Sequence, residues 1–230
     1  MSIQRLYIIC EGQTEETFVS TTLYPHLFNR NGANVIPIVL PSKRGPNASK
    51  GGWVSYTKAK SIIRNLMAGY HSEETWFTTM LDLYAIPADF PGLADASTHD
   101  PRARVKDLEE SFNRDIRTDD LWRFSAHLQL HEFEALLLAD PSEFKISFPN
   151  REQQIGELIN EIAGIEPELV NHGRETAPSK RIIRYVPEYE RRKVSTGPII
   201  ADRIGLNSLR NKCRHFSDWL QHIEEKLDND

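Results

Sequence analysis

The chain has 230 residues, 39% hydrophobic and 27% charged, with a mean hydropathy of −0.50 and a formal charge of −5. That length buries a core without covalent or metal staples, and two cysteines, Cys10 and Cys213, with no CxxC spacing exclude a disulfide framework and a zinc knuckle. No apolar run reaches membrane-spanning length and the first residues lack a signal-peptide layout, so a soluble, cytoplasmic protein with no membrane partner is expected.

In chain order, Ile3 to Cys10 is a short apolar run that reads as a buried strand. Gly12 makes a turn, Thr14 is a plausible N-cap, and a helix is predicted to about Asn29 despite Pro25. Asn34 to Leu40 reads as a second strand, weakened or placed at an edge by Pro37. Ser42 to Gly52 is a glycine-rich loop carrying Lys43, Arg44 and Lys50. A helix from Trp53 to Tyr70 follows, with Ile62, Ile63, Leu66 and Tyr70 on one face. Thr75 to Leu81 is a third strand ending on Asp82. After an irregular stretch with Pro87, Pro91 and Gly92, Pro101 opens a helix whose stripe is Val105, Leu108, Phe112 and Ile116. Phe124 to Leu130 alternates and reads as a fourth strand, running into His131-Glu132-Phe133-Glu134 and a short helix over Ala135 to Ala139. Helices are then predicted at about 150–163, 178–186, 195–204 and 206–227. Strands alternating with helices imply an α/β fold with a mostly parallel sheet of about four strands, flanked by helices. A core over 1–140 and a helical region over 141–230, packed on it or capping it, are expected.

The charge is unevenly spread. Between Asn171 and His215 there are eleven Lys or Arg against four acids, a local charge of +7, which leaves −12 for the rest. Such a run is a solvated helical face or a surface for phosphates. The acids fall at strand ends: Glu11 after the first, with Glu15 one helical turn on, Asp82 after the third, and His131, Glu132 and Glu134 after the fourth. In a parallel sheet these ends share one edge, where ligands bind. Crowded carboxylates repel unless a cation neutralises them, and an all-oxygen set suits Mg²⁺ or Mn²⁺. Each acid alone reads equally as a cap or turn residue; their convergence carries the reading. A phosphate-handling chemistry, with one or two metals, follows. Cys10, in a buried apolar run, is not expected to be a nucleophile, and the four tryptophans read as core rather than base-stacking platforms.

Residues 10–16 (CEGQTEE), Asp82 with Asp89-Phe90-Pro91-Gly92, and 129–137 (QLHEFEALL) closely resemble the family of domain of unknown function 4276; residues 177–182 (APSKRI) and 213–220 (CRHFSDWL) are similar to its later motifs. The resemblance covers nearly the whole chain. It implies a divergent TOPRIM-like domain related to OLD-type and RloB/AbiL-type prokaryotic defence proteins. On that pattern Glu11, Glu15 and Asp82 would be metal ligands and Glu132 or Glu134 would match the fourth-strand acid, both being kept as ligands; Glu11, Asp82 and Glu132 would be catalytic, and His131 and Lys180 are catalytic candidates read from their own positions. From the residues themselves, Lys43, Arg44, Lys50, Lys180, Arg181, Arg184 and Lys193 would bind nucleic acid, with Lys180, Arg181 and Arg184 spaced to share one helix face. The second Asp of the Asp-x-Asp pair is replaced by Tyr84, and Asp89 either substitutes for it or binds nothing. The resemblance implies a Mg²⁺-dependent nuclease acting on DNA or RNA in anti-phage defence beside a separately encoded ATPase. A catalytically degenerate module binding nucleic acid or that ATPase, and a small-molecule phosphate enzyme, are the alternatives.

Overall fold

The computed structural model describes residues 4–41, 55–70, 74–84, 86–96, 100–117, 123–170 and 176–228. Strand β1 (Arg5–Cys10) is an almost unbroken apolar run because it lies inside a parallel sheet covered on both faces. Leu6, Ile8 and Cys10 face one side and Tyr7 and Ile9 the other, all buried. Strand β2 (Asn34–Val39) pairs with β1 in parallel and is the edge strand, where a proline such as Pro37 is tolerated. Strand β3 (Thr75–Asp82) pairs with the other side of β1, also in parallel.

The helix predicted from Thr14 begins earlier and changes pitch. Gly12 is its N-cap, and Glu15 reaches back to the Gly12 N–H at 2.9 Å. Helix α1 (Gln13–Phe18) passes through a π-turn, Val19–Leu23, into α2 (Tyr24–Asn31). The wide turn puts Pro25 in the opening turn of α2, where its missing N–H costs least. Helix α3 (Tyr56–Gly69) starts at the Ser55 cap. Its buried stripe is Tyr56, Ala59, Ile63 and Met67, one position round from the predicted face, and Tyr70 is instead 41% exposed, leaning on Tyr7. Helix α4 (Pro101–Ile116) buries the expected four residues, with Asp100 as its cap.

The predicted fourth strand is two short pieces, β4 (Phe124–Ser125) and β5 (Leu128–Gln129), both parallel to β3. Between them side chains replace the ladder. Thr79 Oγ1 accepts the His127 N–H at 2.8 Å and donates to the His127 carbonyl at 2.7 Å, while Asn113 Oδ1 takes the Ala126 N–H. The sheet order is β2-β1-β3-β4, with β5 continuing along β3.

Helices α3 and α4 cover one face. The other is covered by α1, α2 and the C-terminal helices α5 (Glu134–Leu137), α6 (Phe144–Ser147), α7 (Glu152–Glu161), α8 (Pro178–Tyr185), α9 (Lys193–Ile204), α10 (Leu206–Lys212) and α11 (Arg214–Asp228). Leu136, Ile182, Ile200 and Phe216 join Leu6 and Ile8 in one apolar cluster, so residues beyond 140 bury the same sheet face as α1. No helix among the described residues is long and apolar enough to cross a membrane.

The helix predicted over 206–227 is broken at Cys213, and a distant carboxylate explains the break. Glu168, fully buried, accepts the backbone N–H groups of His215 at 2.8 Å and Phe216 at 3.0 Å, capping α11 from another segment. Glu168→Ala therefore leaves two buried amides unsatisfied and lowers unfolding free energy in urea by about 2–3 kcal/mol; Glu168→Gln, which keeps one acceptor, costs less.

Candidate metal-binding edge

The C-terminal ends of β1, β3 and β5 lie side by side, and the chain beyond each carries acid. Backbone pairing runs past the strands and sets the frame: Glu11 N–H donates to Met80 O, Leu83 N–H to Gln129 O and Tyr84 N–H to His131 O at 2.7 Å. Glu11 Oε2 accepts the Asp82 N–H at 2.9 Å, and Asp82 Oδ1 accepts the Phe133 N–H at 3.0 Å. The three strand ends are thus joined by two carboxylates acting on backbone amides.

His131 has φ +66°, the one non-glycine residue with positive φ among those described, and Glu132 N–H donates to Leu130 O across it. This tight turn carries local strain of the kind found at functional sites. It brings Glu132 to the start of α8, where Ser179 N–H and Oγ donate to its carboxylate at 2.9 and 3.1 Å. Glu134, 6% exposed, faces Lys193 Nζ at 3.1 Å and the Tyr189 hydroxyl at 3.4 Å. Gly197 eases this arrangement: a Cβ there would meet Tyr189 Oη at 3.0 Å, tight enough that the hydroxyl would have to give way, and would touch Phe133 and Thr14 at 3.5 Å, an ordinary contact.

Electrostatics reflect the crowding. Burial, then the charges of Glu11, Glu15, Glu134 and Glu132, push the Asp82 carboxyl well above its ordinary range. Burial chiefly raises Glu15 to about 7, with Glu134 adding to it and Lys193 opposing. Glu132 is raised by burial and by Glu134, against the opposing Ser179 bonds. His131 is lowered to about 4 by burial and is neutral at pH 7. Among the described residues no three of these acids bring one oxygen each within 4.8 Å of one another. Each is tethered to its own donor, so they form a spread group. The donor set, hard carboxylate oxygens with one lysine among them, is of the chemical kind that suits Mg²⁺ or Mn²⁺.

The expected phosphate-binding residues fare differently. Lys43, Arg44 and Lys50 lie outside the described residues. Lys180 is exposed at the start of α8, next to Ser179. Arg181 is a correction: it is 4% exposed and ion-paired with Glu161, because the apolar face of α8 carries it into the core side. Arg184 shares Glu161 at 3.5 Å but stays half exposed. Lys193 points inward to Glu134 rather than out. Arg210 pairs with Glu224, Lys212 Nζ reaches Ala139 O, and Arg192 lies over Phe148, so several cations of the +7 stretch are engaged by the chain itself while staying at or near the surface. Asp89 caps α3 through the Tyr56 and Thr57 N–H groups, which lowers its pKa and commits it away from the acids. Both thiols are buried and pushed up by burial, as an inert role requires. Ser179, Tyr189 and the Phe133 amide are the site groups that sequence reading missed. Pro178 at the opening of a helix flags an amide end able to hold an anion, which would have pointed to Ser179.

A family model described as domain of unknown function (DUF4276) matches residues 10–224. No curated protein and no solved structure matches the chain.

The raised Glu15 makes a signed prediction. Between pH 4.5 and 7 the folded chain retains a proton that the unfolded chain has released, so this group's contribution to stability falls as pH rises through that window. Glu15→Gln keeps an oxygen for the Gly12 N–H and removes the penalty. Urea unfolding should find it level with the wild type below pH 4.5 and more stable by on the order of 2–3 kcal/mol at about pH 8.

Proposed function

The chain belongs to the domain of unknown function 4276 family, and from the convergence at its sheet edge we propose that it is a Mg²⁺- or Mn²⁺-dependent nuclease with a TOPRIM-like core, hydrolysing phosphodiester bonds in DNA or RNA. The observation that carries the reading is the linkage Glu11–Asp82–Phe133, which ties three parallel strand ends into one acidic edge with Glu15, Glu132 and Glu134 around it. When bound, the divalent ion supplies water activation and neutralises charge on the phosphate. Glu11, Asp82 and Glu132 would hold it, turning toward it from the backbone donors that now keep them apart, with Glu15 and Glu134 completing the negative field. His131, kept neutral at pH 7 by burial, offers a ring nitrogen beside these acids as a further ligand or hydrogen-bonding group. Lys193 balances Glu134, and exposed Lys180 at the head of α8 meets the phosphate backbone. A cytoplasmic setting in prokaryotic anti-phage defence, alongside a separately encoded ATPase, is the context that the family resemblance supports.

Tyr84, standing where a second Asp would add a ligand, favours a second reading: a module that binds nucleic acid or the ATPase without cutting. One experiment separates the two. Supercoiled plasmid and tRNA are incubated with Mg²⁺ or Mn²⁺, and the nuclease reading expects cleavage that falls by about 100-fold or more in Glu11→Ala and Asp82→Asn with the fold intact by circular dichroism. No cleavage by the wild type, with nucleic-acid binding unaffected by Glu11→Ala, supports the module instead.

A further inference from the structure

A second cluster of metal-ligating side chains lies where α4 and α11 meet the broken edge strand, and its donors differ in kind from those of the acidic edge. Glu109 Oε1 stands 2.9 Å from His215 Nε2 and 3.5 Å from His127 Nδ1, and one ligand atom from each of the three falls within 4.8 Å of the others. The residues come from three separate elements: α4, the gap between β4 and β5, and the first turn of α11. Their rings are held by packing. His127 is stacked between His215, with centroids 4.8 Å apart, and Trp219, at 4.4 Å, and the Trp219 indole is itself fixed by donating to Thr78 Oγ1 at 2.9 Å.

An independent observation comes from His127 itself. It is 1% exposed, and although the Gln129 side chain and, at 3.5 Å, Glu109 lie beside its ring, neither ring nitrogen makes a hydrogen bond of good geometry. Native interiors rarely bury an imidazole this way unless something else takes the nitrogen. The partner is not backbone: the His127 N–H and C=O are already used by Thr79. His215 Nε2 lies between Glu109 and the Leu128 carbonyl, so a proton there sits between imidazole and carboxylate, the place a cation would take. The three residues share the wall of a cleft of about 600 Å³, which Asp218 and His222 also line.

We propose that Glu109, His127 and His215 form a binding site for a borderline divalent cation of the Zn²⁺ class, with an open coordination position facing the cleft. Two imidazole nitrogens and one carboxylate oxygen are the ligand chemistry of Zn²⁺, Co²⁺ or Ni²⁺, whereas Mg²⁺ prefers oxygen alone. Three protein ligands at the wall of an open cleft leave room for water or a small anionic ligand in the fourth position.

The test uses the full, tag-free chain titrated with Co²⁺ in millimolar Mg²⁺. One equivalent binds, visible d–d bands appear, Zn²⁺ abolishes them, and Mg²⁺ does not. His215→Ala and Glu109→Gln each weaken binding by tenfold or more, whereas Glu11→Gln leaves it unchanged. X-ray absorption at the zinc edge of the wild-type chain needs no variant and reads two imidazole ligands. No saturable Co²⁺ uptake, a spectrum without imidazole scattering, equal affinity in His215→Ala, or loss of binding in Glu11→Gln alone would each overturn the proposal.

Discussion

Concentrating carboxylates at one edge of a buried sheet is the constraint from which most of this architecture follows. Burial first, and then the neighbouring carboxylates, raise the cost of ionising Asp82, Glu15 and Glu132 in an edge that also holds Glu11 and Glu134. The fold answers with a separate set of donors for each acid, each from a different place. Asp82 N–H serves Glu11, Phe133 N–H serves Asp82, Gly12 N–H serves Glu15, the head of α8 serves Glu132, and Lys193 with Tyr189 serves Glu134. Two of the five sets of donors come from beyond residue 176. The C-terminal helices therefore do more than cover the apolar face of β1: they complete the polar accounting of the acidic edge.

Much of this was legible in the sequence, for reasons that differ by element. The β1 run and the α4 stripe were readable because burial of one face imposes a period on apolar residues. The acids converge because strand ends in a parallel sheet share an edge, a topological fact that needs no side-chain geometry. What sequence could not supply were contacts made across long separations. Glu168 breaks a helix 47 positions away, and Thr79 splits a strand 48 positions away by replacing its ladder. Neither acts through local pattern. The left-handed His131 was equally silent, since nothing in its side chain requires positive φ; the turn is imposed by the Tyr84–His131 and Leu130–Glu132 backbone bonds on either side.

The charge pattern is where position in sequence and position in space part most. A run of basic residues reads as a surface when only sequence spacing is known. In the fold Arg181 and Arg184 converge on Glu161, Arg210 on Glu224 and Lys193 on Glu134. A lysine inside an acidic group lowers the cost of holding that group together without a cation. It also means that Glu134 competes for two partners: Lys193, and any cation the other acids attract.

Tyr84 shows how separable the frame is from the chemistry. Its N–H bonds to the His131 carbonyl at 2.7 Å, extending the β3–β5 pairing by the residues that turn Glu132 and Glu134 toward the site. That bond uses only backbone, so tyrosine or aspartate at this position would hold the turn equally well. Replacing one by the other changes the count of oxygen donors while leaving the placement of the remaining acids intact. The remaining acids therefore set how many oxygens the edge presents, and Glu11 and Asp82 lie at its centre because their carboxylates add side-chain links between the ends of β1 and β3 and the chain that follows β5 to the backbone bonds already there.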